Sequence, residues 1–140
     1  MYGAGDEKIG SIVHGSRREG KALKNKFLKQ TPALAQLKRQ VEHTAKTRGY
    51  LIGLDGRPLK VRSLHSALNT LLQSAGAIIM KKALVILDET LQGDLKFVPG
   101  VDYEFVANIH DEFQVETKIE YGDLVGQKAV ESIRLAGESF

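Results

Sequence analysis

Apolar and polar side chains alternate with a period of two in the last third of the chain, a pattern that predicts strands. The alternating runs are Tyr103 to Ile109 and Phe113 to Val115, and the polar triplet His110-Asp111-Glu112 lies between them. Alternation bounded by turn residues is typical of half-buried strands joined as a hairpin. We therefore predict an antiparallel hairpin that carries the three polar side chains at its tip.

A second hairpin is predicted over residues 50–63. Apolar-rich segments on both sides flank Asp55-Gly56, a dipeptide that favours a tight hairpin turn. Arg57 and Arg62 project from this hairpin. They are either ordinary surface charge or contacts to phosphate, because arginine commonly recognises phosphate groups.

Apolar residues elsewhere recur at helical spacing and predict a helical first section. The predicted helices cover residues 6–13, 16–29 and 31–49. Asp6 is placed to cap the first helix. Thr31, a capping hydroxyl before proline, begins the third helix, and Gly49 ends it.

One long helix is predicted from Ser63 to about Leu91, and a closing helix follows Tyr121-Gly122-Asp123. Asn69 and Gln73 are four residues apart on the long helix and therefore share a face. Two amides in this arrangement are either solvated or able to contact hydrogen-bonding groups along a groove.

Length and composition bound the class of protein. A chain of 140 residues fits one domain or two incomplete pieces of a larger one. With 42% hydrophobic and 26% charged residues it is globular. The absence of cysteine excludes disulfides and thiolate zinc sites. No uninterrupted run of 18 apolar residues and no basic-then-apolar leader is present, so we expect no membrane partner.

Charge is distributed unevenly along the chain. Residues 1–70 hold 14 Lys/Arg against 5 Asp/Glu, whereas residues 71–140 hold 6 against 12. The first half is therefore basic, as expected for a surface that binds a polyanion. The second half is acidic and contains the carboxylates of the predicted hairpin tip.

Adjacent carboxylates at a hairpin tip, here Asp111 and Glu112, repel each other and are costly to bury unpaired. A hard divalent cation such as Mg²⁺ resolves this conflict, because it prefers carboxylate oxygens and keeps water or phosphate on its other positions. The alternative is a solvated turn that is merely acidic.

Three stretches in order resemble the family A (Pol I-like) DNA polymerases, and most closely the T7-like bacteriophage members. YGAGDEKIG at residues 2–10 resembles the end of the fingers helix motif. GLDGR at residues 53–57 and SALNTLLQSAGA at residues 66–77 resemble the hairpin and long palm helix that follow. His110-Asp111-Glu112 resembles the third palm motif, and the likeness covers essentially the whole chain.

The resemblance implies an α+β fold. Residues 1–49 would form the C-terminal part of the fingers, helical and basic. Residues 50–140 would form a partial palm, in which two antiparallel hairpins pack against a long helix and a C-terminal helix.

The resemblance also implies roles for individual residues in replication of DNA. Asp111 would hold the catalytic Mg²⁺ pair with Glu112 as its acidic neighbour, and these two are the expected catalytic and metal-binding residues. The expected DNA-binding residues are Tyr2 next to the templating base, His110 near the primer terminus, Asn69 and Gln73 in the minor groove, and Arg57 and Arg62 on the backbone.

The sequence contains no counterpart of the first palm motif or of the basic residues that grip the triphosphate. We therefore expect a half-site that is inactive alone and completed by a complementary N-terminal polypeptide. Its other partners would be primer-template DNA and a deoxynucleoside triphosphate, in the cytoplasm of an infected bacterial cell. The alternatives are a non-catalytic DNA-binding remnant and, more remotely, a scaffold whose apolar faces pair with themselves.

Overall fold

Helices and two small antiparallel sheets make up this chain, and the predicted α+β class is confirmed. A computed structural model describes residues 4–109 and 112–140. The elements in order are α1 Asp6–Ile12, α2 Arg17–Gln30, α3 Pro32–Arg48, β1 Tyr50–Ile52, β2 Pro58–Lys60, a 3₁₀ turn Leu64–Ser66, α4 Ala67–Gly93, β3 Tyr103–Ile109, β4 Glu112–Thr117, a second 3₁₀ turn Ile119–Tyr121 and α5 Gly122–Glu138.

The chain divides into two compact units, Met1–Leu72 and Gln73–Phe140. This division lies inside α4 and describes packing density along the chain. The predicted boundary between fingers and palm lies between residues 49 and 50. It is not tested by this division and stays a prediction.

Helix α2 begins at a reciprocal cap. The Ser16 hydroxyl accepts from the Glu19 backbone nitrogen, and Glu19 Oε2 accepts from the Ser16 backbone nitrogen at 2.7 Å. This hydrogen bonding holds the pKa of Glu19 below its usual value. Such a capping box satisfies two donors that the first turn of a helix otherwise leaves unpaired, and it fixes where α2 starts after α1.

Two of the predicted helix starts differ in detail. Gly5, not Asp6, is the N-cap of α1, and Asp6 instead accepts from Lys24 Nζ at 3.2 Å. The Thr31 hydroxyl does not cap α3, because it donates to the Phe27 carbonyl at 2.8 Å. The other end of α3 is as predicted, since Gly49 adopts a left-handed conformation with φ of 79°.

The first unit has its own apolar core. Strands β1 and β2 pair in register Leu51 to Leu59, and both side chains lie on the inner face of this hairpin. The buried centre consists of Val41, Ala45, Leu51 and Ala67, with Leu59, Val61, Leu68 and Leu71 packed around it. The hairpin is thus fixed by α3 and by the beginning of α4.

The second unit packs the β3–β4 hairpin against helical residues. Its buried centre consists of Leu87, Leu91, Tyr103 and Val125, and it is surrounded by Leu95, Phe97, Phe105, Phe113, Val115, Tyr121 and Ala129. Strand β3 carries a bulge at Val106, because Phe105 pairs with Val115 and Ala107 with Gln114. Such a bulge bends the strand and increases its local twist.

Helix α4 is as long as predicted, although its first turn is 3₁₀ and it ends at Gly93. By length and composition alone, one helical segment of the described residues, Leu64–Gly93, is long and apolar enough to cross a membrane. A single such helix is weak evidence for a membrane, and its two ends contribute Ala67 to one core and Leu87 to the other.

Candidate functional site

The described part of the β3–β4 hairpin tip presents one carboxylate. Glu112 is the first residue of β4 and pairs with Ile109 of β3, so it lies in the strand and not in the turn as predicted. Its side chain is exposed and Oε1 accepts from Gln114 Nε2 at 2.8 Å. His110 and Asp111, the other two residues of the predicted triplet, lie outside the described residues.

A hydrogen bond from Tyr103 joins the base of this hairpin to α4. The Tyr103 hydroxyl donates to Asp88 Oδ1 on α4, and Asp88 Oδ2 accepts from Gln92 at 2.8 Å. Burial of the ring is the larger cause, and the hydrogen bond to Asp88 the smaller one, that raise the pKa of Tyr103 to about 12. The phenol is therefore a neutral donor that anchors β3 to the helix at neutral pH.

Asp102 fastens the other strand of the hairpin. Its carboxylate accepts from Lys118 Nζ at 2.6 Å and from the Val98 backbone nitrogen at 2.9 Å. Its backbone carbonyl accepts from the Thr117 hydroxyl at 2.7 Å. The hydrogen bond from Lys118, and then that from Val98, hold the pKa of Asp102 below its usual value. The far end of the hairpin, with Glu112, thus extends from a fixed base.

A complete metal site is not formed within the described residues. They contain no group of three or more His, Cys, Asp or Glu side chains that could hold an ion. Glu112 offers the hard oxygen donors that Mg²⁺ prefers, but a single carboxylate is too few for a dedicated site. The described residues therefore offer the type of ligand that Mg²⁺ prefers, but too few ligands to form a site.

The two amides of α4 differ in their surroundings. Gln73 is exposed. Asn69 is half-buried, and its Oδ1 is buried without a hydrogen-bond partner among the described residues. A buried amide oxygen without a partner costs free energy, so Asn69 is held by packing and not by internal hydrogen bonding. Its amide group is uncommitted to any other described side chain.

The arginines of the first hairpin also differ. Arg57 donates through Nε to Asp55 Oδ2 in the β1–β2 turn, which leaves the outer guanidinium nitrogens for another acceptor. Arg62 is exposed just after β2. Tyr2, the remaining predicted DNA contact, lies outside the described residues.

A basic cavity of about 420 Å³ in the first unit was missed by the sequence reasoning. Its walls combine polar and charged side chains with apolar ones, and they include the Asp6 carboxylate that pairs with Lys24: Asp6, Arg17, Lys24, Lys38, His65, Phe27, Leu28, Leu34 and Leu68. Arg17 and Lys24 are seven residues apart on α2 and therefore share a face. The spacing of Arg17 and Lys24 could have indicated a basic surface on α2. The positions of α3 and His65 beside that surface could not have been predicted from the sequence.

Comparisons with known proteins identify what the chain is similar to. The model of DNA polymerase family A matches residues 1–138. The DNA-directed DNA polymerases of Enterobacteria phage T3 and Escherichia phage T7 are similar in sequence, with identities of 43% and 42%. Each of these alignments covers 99% of this chain. The chain spans 22% of the length of each of these two relatives.

A solved structure shares the fold. The polymerase domain of Pol1 from M. smegmatis, in complex with DNA primer-template and dNTP, matches 96% of this chain with a TM-score of 0.79. The sequence identity is 20%, and the match covers 25% of that chain. The likeness therefore concerns the fold.

Proposed function

Because this chain belongs to DNA polymerase family A, we propose that it supplies one half of a two-metal nucleotidyl-transfer site in a DNA-directed DNA polymerase. The observation that carries the proposal is the family match, which extends over residues 1–138. The secured base of the β3–β4 hairpin and the exposed carboxylate of Glu112 support it, since a transfer site needs rigidly held carboxylates.

Asp111 and Glu112 are the proposed catalytic residues and Mg²⁺ ligands. In our proposal Asp111 is the direct ligand and Glu112 its acidic neighbour. Mg²⁺, when bound, neutralises charge on the attacking and leaving oxygens of an in-line displacement. In our proposal the remaining carboxylates come from a complementary N-terminal polypeptide, because the sequence contains no counterpart of the first palm motif.

Primer-template DNA is the proposed partner of the exposed polar side chains. Asn69 and Gln73 meet the minor groove, where acceptors occur at nearly every base pair and allow contact without sequence preference. Such contacts use the amide nitrogens of Asn69 and Gln73 as donors, and the exposure of Gln73 supports this role. In our proposal His110 contacts the primer terminus and Tyr2 contacts the templating base.

The basic side chains would contact the sugar-phosphate backbone. Arg57 and Arg62 do so beside the first hairpin, and the exposed cations of α2 add further phosphate contacts. Residues 1–49 act as the C-terminal part of the fingers and residues 50–140 as a partial palm. The incoming substrate is a deoxynucleoside triphosphate, and the site of action is the cytoplasm of an infected bacterial cell.

A chimaera tests this proposal. The chain replaces its aligned segment in the T7 relative, and extension of a labelled primer is measured with Mg²⁺ and all four nucleotides. We expect extension by the chimaera and none by the isolated chain, which lacks part of the carboxylate set. Lys81→Gln, an exposed charge change on α4, serves as the control and leaves extension unchanged.

Variants of the chimaera separate the proposed roles. Asp111→Ala abolishes extension by several orders of magnitude, and Glu112→Gln costs less because it is not the direct ligand. Gln73→Ala weakens extension without changing metal binding. Asp111-dependent incorporation by the isolated chain would contradict the half-site proposal, as would full activity of the Asp111→Ala chimaera.

A non-catalytic DNA-binding module is the second candidate. The observation that favours it is the run of exposed cations on α2, Arg17, Arg18, Lys21, Lys26 and Lys29. Under this alternative the acidic hairpin tip is vestigial. The chimaera then binds primer-template but does not extend it, whereas the isolated chain binds DNA with a strong dependence on salt.

A further inference from the structure

The outward face of the β1–β2 hairpin is an exposed, partly aromatic surface. Strand register places Tyr50 directly opposite Lys60 and Ile52 opposite Pro58. Directly opposed residues of an antiparallel pair project on the same side of the sheet. Leu51 and Leu59 occupy the other side and pack into the core. The face with Tyr50, Ile52, Pro58 and Lys60 therefore points away from the core of the first unit.

Exposure on this face is large for apolar side chains. Tyr50 is 41% exposed and Ile52 is 46% exposed. Among the described residues, no aromatic ring and no cation contacts the Tyr50 ring. The ring is thus an available flat surface next to an ammonium group.

Positive charge is concentrated in the part of the sequence that contains this ring. Five cations and one acid lie between residues 46 and 62. The cations are Lys46, Arg48, Arg57, Lys60 and Arg62, all exposed, and the acid is Asp55. Asp55 is already engaged by Arg57, so the other four cations face no nearby acid of this segment. Such a surface is electrostatically complementary to a polyanion.

We propose that this face binds single-stranded nucleic acid, with a base stacked on the Tyr50 ring and the adjacent phosphates beside Lys60 and Arg48. An aromatic ring flanked by cations is the recurring arrangement for strands whose bases are unpaired. A duplex is excluded from this mode, because its bases are stacked on one another and offer no free face to Tyr50. The residues involved are separate from Asn69, Gln73 and the carboxylates of the proposed catalytic half-site.

The first experiment measures binding of the full chain to a fluorescent thymidine oligonucleotide of about 12 residues. Fluorescence anisotropy reports the binding. Tyr50→Ala is expected to weaken binding about tenfold, whereas Tyr50→Phe stays within about twofold because the ring is retained. Tyr50→Leu keeps an apolar side chain without the aromatic surface and behaves as Tyr50→Ala. Circular dichroism establishes that each variant is folded.

Charge and strand number are tested with the same oligonucleotide. Lys60→Gln weakens binding and lowers the slope of log affinity against log salt by about 0.7, the value for one phosphate of a single strand. Lys81→Gln, on α4, leaves single-strand affinity within about twofold. A blunt duplex of the oligonucleotide with its adenine complement binds Tyr50→Ala and Tyr50→Phe equally, since its paired bases offer no free face to a side chain at position 50.

A direct readout is available because the sequence contains no tryptophan. In the Tyr50→Trp chain, the single indole emission is quenched as the oligonucleotide binds, with the same midpoint as the anisotropy titration. Equal single-strand affinities of wild type, Tyr50→Ala and Tyr50→Leu overturn the proposal. Unchanged indole emission at an oligonucleotide concentration that saturates the anisotropy also overturns it.

These outcomes are independent of primer extension. If the chimaera does not extend the primer but the oligonucleotide quenches the indole of the Tyr50→Trp chain, the catalytic proposal is contradicted and the single-strand proposal is supported. If the chimaera extends the primer and the Tyr50 variants bind the single-stranded oligonucleotide as tightly as wild type, only the single-strand proposal is contradicted. The proposal of single-stranded nucleic acid would also be overturned if this face bound a polypeptide and Tyr50→Ala did not change the affinity for the oligonucleotide.

Discussion

Gly10 and Gly20 bring the backbones of α1 and α2 together. A β-carbon added at Gly20 would lie 2.5 Å from the Gly10 nitrogen, and it would overlap the Asp6 carbonyl oxygen as well. Both glycines are buried. This close crossing places Lys24 of α2 where its Nζ reaches Asp6 at 3.2 Å, at the edge of the basic cavity. The geometry of the basic first section thus depends on two residues without side chains.

Gly20→Ala should destabilise the chain by about 2 kcal/mol or more, because the overlapping atoms are backbone and cannot rotate away. Thermal unfolding followed by circular dichroism measures the change. Gly126→Ala is the matched control, since nothing lies within 4 Å of its added β-carbon in α5. It should stabilise by about 0.5–1 kcal/mol. Equal effects of the two substitutions would contradict the close crossing.

The Tyr103 contact predicts a loss of stability at alkaline pH. Its pKa is raised from 10.0 to about 12 in the folded chain, so the contribution is complete below pH 10 and is lost as pH rises to 12. Chemical unfolding of wild type and Tyr103→Phe is compared across this range. The stability advantage of wild type should shrink by at most about 3 kcal/mol. A pH-independent difference would contradict the raised pKa.

Asp102 predicts the opposite dependence on pH. Its pKa is lowered below 3.8, so its contribution is present above that value and is lost as pH falls through the folded pKa. Asp102→Asn should therefore be less stable than wild type at neutral pH, and the gap should close in acid. Asp94→Asn, at an exposed carboxylate just after α4, is the charge-matched control variant.

DNA binding by the isolated chain should weaken steeply as salt rises from about 50 to 200 mM, because cations of the basic half release counterions from phosphates. Neutralising Arg18, Lys21 and Lys29 together to Gln should make the slope shallower by about one unit per lost phosphate contact. Filter binding to primer-template DNA measures the slope. An affinity that ignores salt would remove the phosphate-contact role of α2.

Mg²⁺ should bind the isolated chain weakly, with a dissociation constant of about one millimolar, since one or two carboxylates without substrate phosphates make a poor site. Calorimetry with Asp111→Asn and Glu112→Gln tests this, and both should lower the affinity further. Tight binding that survives Asp111→Asn would place the ligands elsewhere.

Local sequence signals anticipated most of the elements. Gly49, Asp55-Gly56 and the alternation over Tyr103–Ile109 each act through neighbouring residues, because positive φ, tight turns and period-two burial are local properties. The same reasoning placed Glu112 in a turn, whereas its pairing with Ile109 makes it the first residue of β4. The prediction concerning Asp111, His110 and Tyr2 remains open, since they lie outside the described residues.

By itself, the sequence determined the α+β class, the basic and acidic halves, and the family. Each of these follows from patterns and motifs that are contiguous along the chain. Tertiary structure decided what distant residues do together. Lys24 meets Asp6 because two glycines let helices touch, and Tyr103 meets Asp88 because a core brings β3 to α4. Tyr50 faces outward beside Lys60 because strand register, which spacing alone leaves open, buries Leu51 instead.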